Sequence, residues 1–137
     1  MTKQVKAVGV IFEDPEGSIL VLRRHKKSPE GRTWGLVGGN IDEGEDKVTA
    51  ALREVQEEIS HSIKENDLKY LRSYHWERDD VDLSFDVFKY RISQDEVEIN
   101  LDEQENTEHI WATPKNLHSR SDLMIGLYPI LEDEYGI

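Results

Sequence analysis

The sequence predicts a mixed α/β fold of the α+β kind, in which helices pack on the faces of a mixed sheet. Short β-branched and apolar runs are bounded by turn residues, and several of them are close enough along the chain to form hairpins. One segment of about fourteen residues has helical periodicity instead. Strands and helices are therefore interspersed along 137 residues, which is the size of one ordinary domain. We expect a single domain over 1–137.

The first part of the chain predicts a hairpin followed by a loop and a short strand. Residues 6–12 and 19–22 are apolar runs that flank the turn residues 14–17, which include a proline and a glycine. Residues 25–33 are polar and read as a loop. Residues 34–37 predict a short strand that runs into a pair of glycines.

A helix is predicted over 46–59, because Val48, Leu52, Val55 and Ile59 recur at helical spacing. Residues 93–107 are mostly polar and predict no regular element. The other predicted elements are strands at 68–76 and 83–92 joined by an acidic hairpin loop at 77–82, a strand at 109–112, a helical turn at 114–117 and a helix at 122–131.

Composition excludes several classes of protein. The absence of cysteine excludes disulfides, zinc–thiolate sites and cysteine nucleophiles. A net charge of −12, from 29 acidic and 17 basic residues, argues against a nucleic-acid partner, because binding a phosphate backbone requires basic patches. The sequence has neither the pattern of a signal peptide nor an apolar run of membrane-spanning length. We therefore expect a cytoplasmic protein with no membrane partner.

Three carboxylates share one stripe of the predicted helix. At about 100° per residue from Val48, Glu57, Glu54 and Glu58 fall near 180°, 240° and 280°, well away from the apolar seam. Like charges this close repel one another, whereas a hard divalent cation such as Mg²⁺ requires oxygen ligands gathered on one rigid face. The alternative is a solvated acidic face. The loop before the helix favours a site, since its glycines allow close backbone approach to a ligand and free N–H groups near a phosphate.

The segment 39–61 resembles the Nudix box, G-x5-E-x7-R-E-U-x-E-E-x-G-U, where U is a bulky apolar residue. The matching residues are Gly39, Glu45, Arg53, Glu54, Val55, Glu57 and Glu58. Two positions depart from the pattern, because Ser60 replaces the terminal glycine and His61 replaces the last apolar residue. A left-handed serine at the helix end costs about 1 kcal/mol relative to glycine, and His61 is expected to point partly to solvent.

The resemblance implies a Nudix-like α/β/α sandwich, with helices on both faces of the sheet, and a magnesium- or manganese-dependent hydrolase. It assigns Glu54, Glu57 and Glu58 as metal ligands, together with the Gly38 carbonyl. It also makes Glu54 the candidate general base. Metal ions would neutralise the diphosphate oxygens and activate water.

The resemblance also assigns roles to three further residues, Arg53, Glu45 and Glu105, and alternatives remain open for Arg53 and Glu105. Arg53 and Glu45 are expected to form an ion pair that braces the loop against the helix, with a phosphate grip by Arg53 as the alternative. Glu105 is a candidate acidic ligand, in competition with Glu103, Glu108 and a purely solvated loop.

The implied reaction is hydrolysis of a diphosphate linkage in a small nucleotide-like substrate. That substrate is either a nucleoside triphosphate or a nucleoside diphosphate joined to another group. The first alternative is a catalytically weak, nucleotide-sensing relative, and the second is an interaction domain with an acidic face. The oligomeric state is open, a homodimer included.

Overall fold

The computed structural model describes residues 2–137, and within them seven strands form one mixed sheet. The strands are β1 (Lys3–Glu13), β2 (Ile19–Arg24), β3 (Trp34–Gly35), β4 (Val37–Asn40), β5 (Lys69–Arg78), β6 (Val81–Arg91) and β7 (Asn106–Ala112). The helices are α1 (Lys47–Ile59), α2 (Pro114–His118) and α3 (Leu127–Tyr135), with short 3-10 helices at Glu65–Asp67 and Gln94–Glu96.

β1 is the central strand of the sheet. It pairs in parallel with β6 along its whole length and antiparallel with β4. β5 and β6 form the predicted second hairpin, whose strands extend to Arg78 and from Val81. The predicted pairing of β1 with β2 is limited to Glu13 and Ile19. Both edges of β1 are occupied by β6 and β4, so β2 pairs instead with β7 and β3.

Helices cover both faces of the sheet, which confirms the α/β/α sandwich. On one face, Val55 and Ile59 of α1 are fully buried with Val8 and Phe88 of the sheet. The other face packs against α2 and α3, where Leu117, Leu127, Ile130 and Leu131 are buried with sheet residues such as Ile11 and Val87. Among residues 2–137, none of the helices combines the length and apolar character needed to cross a bilayer.

The predicted helix 46–59 is confirmed as α1. Asp46 caps its start, with Oδ1 accepting a hydrogen bond of 2.8 Å from the Thr49 N–H. Ser60 ends it in the left-handed conformation, at φ 56° and ψ 41°, as its position in the box pattern predicted. His61 is half-buried, in agreement with the expectation that it points partly to solvent.

Most predicted elements end within three residues of the observed ones, and β7 begins at Asn106, inside the stretch 93–107 for which no regular element was predicted. Two predicted elements differ more. The strand expected at 34–37 is divided at Leu36, since Trp34 and Gly35 pair with β2 whereas Val37 pairs with β1. The C-terminal helix begins at Leu127 rather than at 122. The backbone before it pairs with β3: the Trp34 N–H donates to the Asp122 carbonyl, and the Met124 N–H donates to the Trp34 carbonyl.

Candidate active site

Two of the three box glutamates lie on the buried side of α1. Glu54 and Glu58 are only 8% and 4% exposed, whereas the side chain of Glu57 is 57% exposed. The expectation that all three lie well away from the buried face is therefore wrong. The fully buried Ala50 and Ala51 show the reason, because their small side chains let this side of the helix lie close to the sheet. Glu54, one turn further along, and Glu58, two turns further along, are therefore buried against β4.

Glu58 is held in place by two donors from different elements. The Gly38 N–H of β4 donates to Oε1 over 2.6 Å, and Nδ2 of Asn106 donates to Oε2 over 2.9 Å. Burial raises the pKa of Glu58 to about 8, against these two hydrogen bonds, which lower it. Glu58 is thus a rigidly positioned carboxylate that holds a proton more tightly than an ordinary glutamate.

Glu54 lies directly over Gly39. A Cβ added to Gly39 would stand 2.5 Å from both Cδ and Oε2 of Glu54, so only glycine leaves room for the carboxylate at this point. Burial raises the pKa of Glu54, while the neighbouring Arg53 acts in the opposite direction. A carboxylate is therefore set directly against Gly39 of β4.

The glycines serve the protein's own packing rather than open N–H groups. A Cβ on Gly38 would clash with the carbonyl oxygen of Val8 on β1. The Gly38 N–H is already taken by Glu58. Of the loop glycines only Gly44 has a left-handed backbone, at φ 82°. The expectation of free loop N–H groups for phosphate is therefore wrong at Gly38.

Arg53 joins the loop to the helix. Its Nε and Nη2 each donate to a different oxygen of Glu45 over 2.9 Å, so the pair is bidentate. Nη2 also donates to the Asn40 carbonyl over 2.9 Å. Nη1 lies 2.8 Å from Glu54 and 3.1 Å from Glu57. The expected ion pair between Arg53 and Glu45 is present, and the guanidinium also contacts two of the box carboxylates.

The hydrogen bonds from Arg53 hold the pKa of Glu45 at about 2, well below its usual value. The hydrogen bond to Glu45 is also the largest cause of the raised pKa of Arg53, and the hydrogen bond to Glu54 adds to it. Oε1 of Glu45 additionally accepts the Asp42 N–H over 3.0 Å. Both partners therefore remain charged at neutral pH, and the loop 40–46 is fixed to α1 through them.

The donor chemistry of the site fits a hard divalent cation, because Glu54, Glu57 and Glu58 offer only carboxylate oxygens on one rigid helix. In the described part of the chain their oxygens do not all approach within 4.8 Å of one another. Arg53 is bonded to Glu54 and Glu57, while Gly38 holds Glu58 on the sheet side. The guanidinium of Arg53 supplies positive charge to Glu54 and Glu57.

Glu105 lies in the loop that precedes β7. The His25 N–H donates to its carbonyl oxygen over 2.8 Å. Its side chain is exposed, and its negative charge contributes to raising the pKa of both Glu54 and Glu58. Glu105 is therefore within electrostatic range of the site. Its competitor Glu108 is instead paired with Arg23 over 2.8 Å.

Asn106 is a site residue that sequence reasoning missed. It is 3% exposed and donates to Glu58, which lies 48 positions earlier in the chain. Its only signal in the sequence is its position next to Glu105 in a polar stretch without predicted structure. The contact arises because the start of β7 passes beside the last turn of α1, where the Asp102 N–H also donates to the Glu58 carbonyl.

The model of the NUDIX domain matches residues 3–133 of this chain. A 51-residue segment is 43% identical to the RNA pyrophosphohydrolase of Caulobacter vibrioides, and covers 37% of this chain and 29% of that protein. The match thus spans less than a third of that relative.

Solved structures resemble the fold over nearly the whole chain. The MutT protein of Methanosarcina mazei Go1 has a TM-score of 0.83 at 19% identity, covering 96% of this chain and 93% of its own. The MutT NUDIX hydrolase of Burkholderia pseudomallei has a TM-score of 0.80 at 20% identity, covering 95% and 97%. At this identity the likeness establishes the fold.

Proposed function

The chain belongs to the Nudix family, and we propose that it is a pyrophosphohydrolase that cleaves the diphosphate linkage of a nucleotide-like small molecule with Mg²⁺ or Mn²⁺. The substrate classes we propose are nucleoside triphosphates and nucleoside diphosphates joined to another group. The observation that carries the proposal is the group of Glu54, Glu57 and Glu58 where α1 meets β4, braced by the bidentate pair of Arg53 and Glu45.

The proposed cation ligands are the carboxylates of Glu54, Glu57 and Glu58, the Gly38 carbonyl and Glu105. A divalent ion held there would neutralise the diphosphate oxygens and lower the pKa of a bound water. Arg53 bonds only Oε1 of Glu54 and Oε2 of Glu57, so the second oxygen of each carboxylate is not held by the guanidinium. The bidentate bonds of Arg53 to Glu45 fix the guanidinium in this position.

We propose Glu54 as the general base. Burial raises the pKa of its carboxyl group, and a base with a raised pKa accepts a proton from water more readily near neutral pH. Glu58 has a more strongly raised pKa, but both of its oxygens already accept hydrogen bonds, from Gly38 and Asn106. Glu58 is therefore better suited to positioning than to proton transfer.

A group of cations beside the site supports an anionic substrate. A cavity of about 360 Å³ is lined by Arg23, Arg24, His25, Lys26, Arg32 and Thr107. Within residues 2–137, Arg24, Lys26 and Arg32 form no ion pair, although acids outnumber bases in the chain by 29 to 17. Unpaired cations that line a cavity next to Asn106 suit the phosphates of a substrate.

A larger apolar cavity supports a nucleotide-like substrate. It has a volume of about 500 Å³, and its walls include Leu36, Trp76, Phe85, Met124 and Ile130. Leu36 directly precedes β4 and Ile130 belongs to α3, so the cavity lies on the α3 face of the sheet, across β4 from the carboxylates of α1. An apolar cavity of this size with an indole wall suits a flat ring joined to a diphosphate.

The proposal is tested by measuring phosphate products from a panel of nucleoside triphosphates and nucleotide sugars with Mg²⁺ or Mn²⁺. A 5′-triphosphorylated RNA belongs in the panel, because a relative is named an RNA pyrophosphohydrolase. We expect metal-dependent turnover of a small nucleotide that is abolished in Glu54→Gln/Glu57→Gln. Nucleotide binding without turnover would favour the sensing alternative, and turnover of RNA alone would replace the substrate class.

A further inference from the structure

The hairpin of β5 and β6 carries a second group of potential metal ligands. Glu77 and Asp82 stand directly opposite each other in the strand pair, and His75 lies two residues before Glu77. Because side chains alternate between the two faces of a strand, all three project from the same face. Their ligand atoms lie within 4.8 Å of one another, and no other three His, Asp or Glu side chains in residues 2–137 meet that condition.

The charges in this group call for a cation. Carboxylates placed directly opposite each other destabilise a strand pair. His75 Nε2 lies 4.0 Å from Oε1 of Glu77 and contacts Oδ1 of Asp82. That Oδ1 is closed off from solvent and accepts no hydrogen bond of good geometry from any residue of the described chain. In the tautomer of neutral His75 that carries its proton on Nδ1, Nε2 and the carboxylate oxygen both present lone pairs, and an ion binds both once the two atoms move apart.

Gln4 of β1 orients the carboxylate of Asp82 from the other side. The two residues are partners in the β1–β6 register, and Gln4 Nε2 donates to Oδ2 over 3.4 Å. This contact leaves Oδ1 directed at His75. Hydrogen bonds to the outer oxygen of a ligating carboxylate are characteristic of metal sites. Asp82 is also held by strand pairing on both sides, while His75 and Glu77 are exposed and accessible to an ion.

We propose that His75, Glu77 and Asp82 form a binding site for a divalent transition-metal ion such as Zn²⁺, separate from the carboxylates of α1. An imidazole nitrogen with two carboxylates suits Zn²⁺, whereas Mg²⁺ and Ca²⁺ prefer oxygen ligands throughout. Bonds of about 2 Å in tetrahedral geometry bring ligand atoms to roughly 3.4 Å from one another. The exposed side chains of His75 and Glu77 reach that spacing by rotation about their own bonds, with water as the fourth ligand.

The test is a Zn²⁺ titration by calorimetry in the Glu54→Gln/Glu57→Gln background, which removes competing ligands on α1. We expect one tight Zn²⁺ ion per chain. His75→Gln added to that background should weaken it more than tenfold, and Gln4→Ala, which removes only the supporting donor, about tenfold. The matched control is His109→Gln, since His109 is an exposed histidine on β7 outside the group.

A second measurement does not depend on the folding of the double variant. In the otherwise unchanged chain, the imidazole ¹⁵N signals of His75 should shift with the first equivalent of Zn²⁺, while those of His109 stay constant. Equal Zn²⁺ affinity in the His75→Gln and His109→Gln variants, or unmoved His75 signals at one equivalent, would overturn the proposal. Neither readout involves hydrolysis, so failure here leaves the Mg²⁺-dependent activity to its own test.

Discussion

The Gly38 N–H donates a hydrogen bond of 2.6 Å to Oε1 of Glu58, which ties the end of β4 to the last turn of α1. The bond uses the amide that a glycine-rich loop would otherwise offer to a phosphate. Together with Asn106, it fixes a buried carboxylate between a strand and a helix. The proposed site is therefore preorganised on its sheet side and open at Glu57, whose carboxylate is exposed.

Glu57→Gln should remove a proposed cation ligand while leaving the fold intact. The side chain is largely exposed and its one protein partner is Arg53, so the melting temperature should stay close to that of the unchanged protein. We expect kcat on the best substrate to fall by about 10²-fold or more, because positioned charge supplies most of the catalysis. Glu98→Gln, a change at an exposed acid outside the site, is the matched control. Wild-type turnover in Glu57→Gln would remove Glu57 from the ligand set.

Ser60→Gly should stabilise the protein by up to about 1 kcal/mol, because Ser60 has φ 56° and glycine adopts that conformation without strain. Ser62→Gly is the control. Ser62 is exposed and is not among the residues with positive φ, so glycine there should destabilise. Chemical denaturation of the three proteins measures both effects, and a lower free energy of unfolding in Ser60→Gly would contradict the strain at the helix end.

Glu45→Gln should change the response to acid. Hydrogen bonds from Arg53 lower the pKa of Glu45 from 4.5 to about 2 in the folded protein. A depressed folded pKa contributes stability above the unfolded pKa, and that stability is lost as pH falls from about 4.5 toward 2. Denaturant unfolding between pH 6 and pH 3 should therefore show a shallower loss of stability in Glu45→Gln than in the unchanged protein. Parallel curves would mean that the pair contributes nothing to acid sensitivity.

Mg²⁺ should raise the melting temperature more at pH 8 than at pH 5. Burial raises the pKa of Glu54, and that of Glu58 to about 8. A raised folded pKa favours folding at low pH, and this stability is lost as pH rises from about 4.5 through 8. A bound cation offsets the loss, whereas protons compete with it at pH 5. Binding to the folded state alone adds about 2.7 kcal/mol at a hundredfold excess over Kd.

The control for the magnesium response is Glu54→Gln/Glu57→Gln at matched ionic strength, in which the shift should be nearly flat. Shifts of equal size in the unchanged protein and in this variant would place the cation elsewhere on the acidic surface.

Asn106→Ala should weaken metal-dependent activity through Glu58 rather than through substrate contacts. Without its amide donor, the pKa of the buried Glu58 should rise further, because that hydrogen bond lowers it. The midpoint of the pH–activity profile should then move to higher pH, while KM changes little. An unchanged pH profile with a lowered melting temperature would make the role of Asn106 purely structural.

Local features of this site were readable from the sequence. The extent of α1 and its left-handed end at Ser60 depend on residues within one or two helical turns of one another. The pairing of Arg53 with Glu45 joins the first turns of the helix to the loop just before it. The extent of the helix follows from periodicity, whereas the end at Ser60 and the pair of Arg53 with Glu45 were implied by the resemblance to the Nudix box, whose residues lie close together along the chain.

Contacts between distant segments were decided only by the tertiary structure. Which side of α1 is buried depends on how closely Ala50 and Ala51 approach the sheet, and that packing buried Glu54 and Glu58. Asn106 reaches Glu58 only because β2 pairs with β7 and brings the start of β7 against α1. Hydrophobic periodicity identifies a strand but does not specify its neighbour, since many pairings bury the same apolar face. The partners of the buried carboxylate were therefore determined by the sheet order.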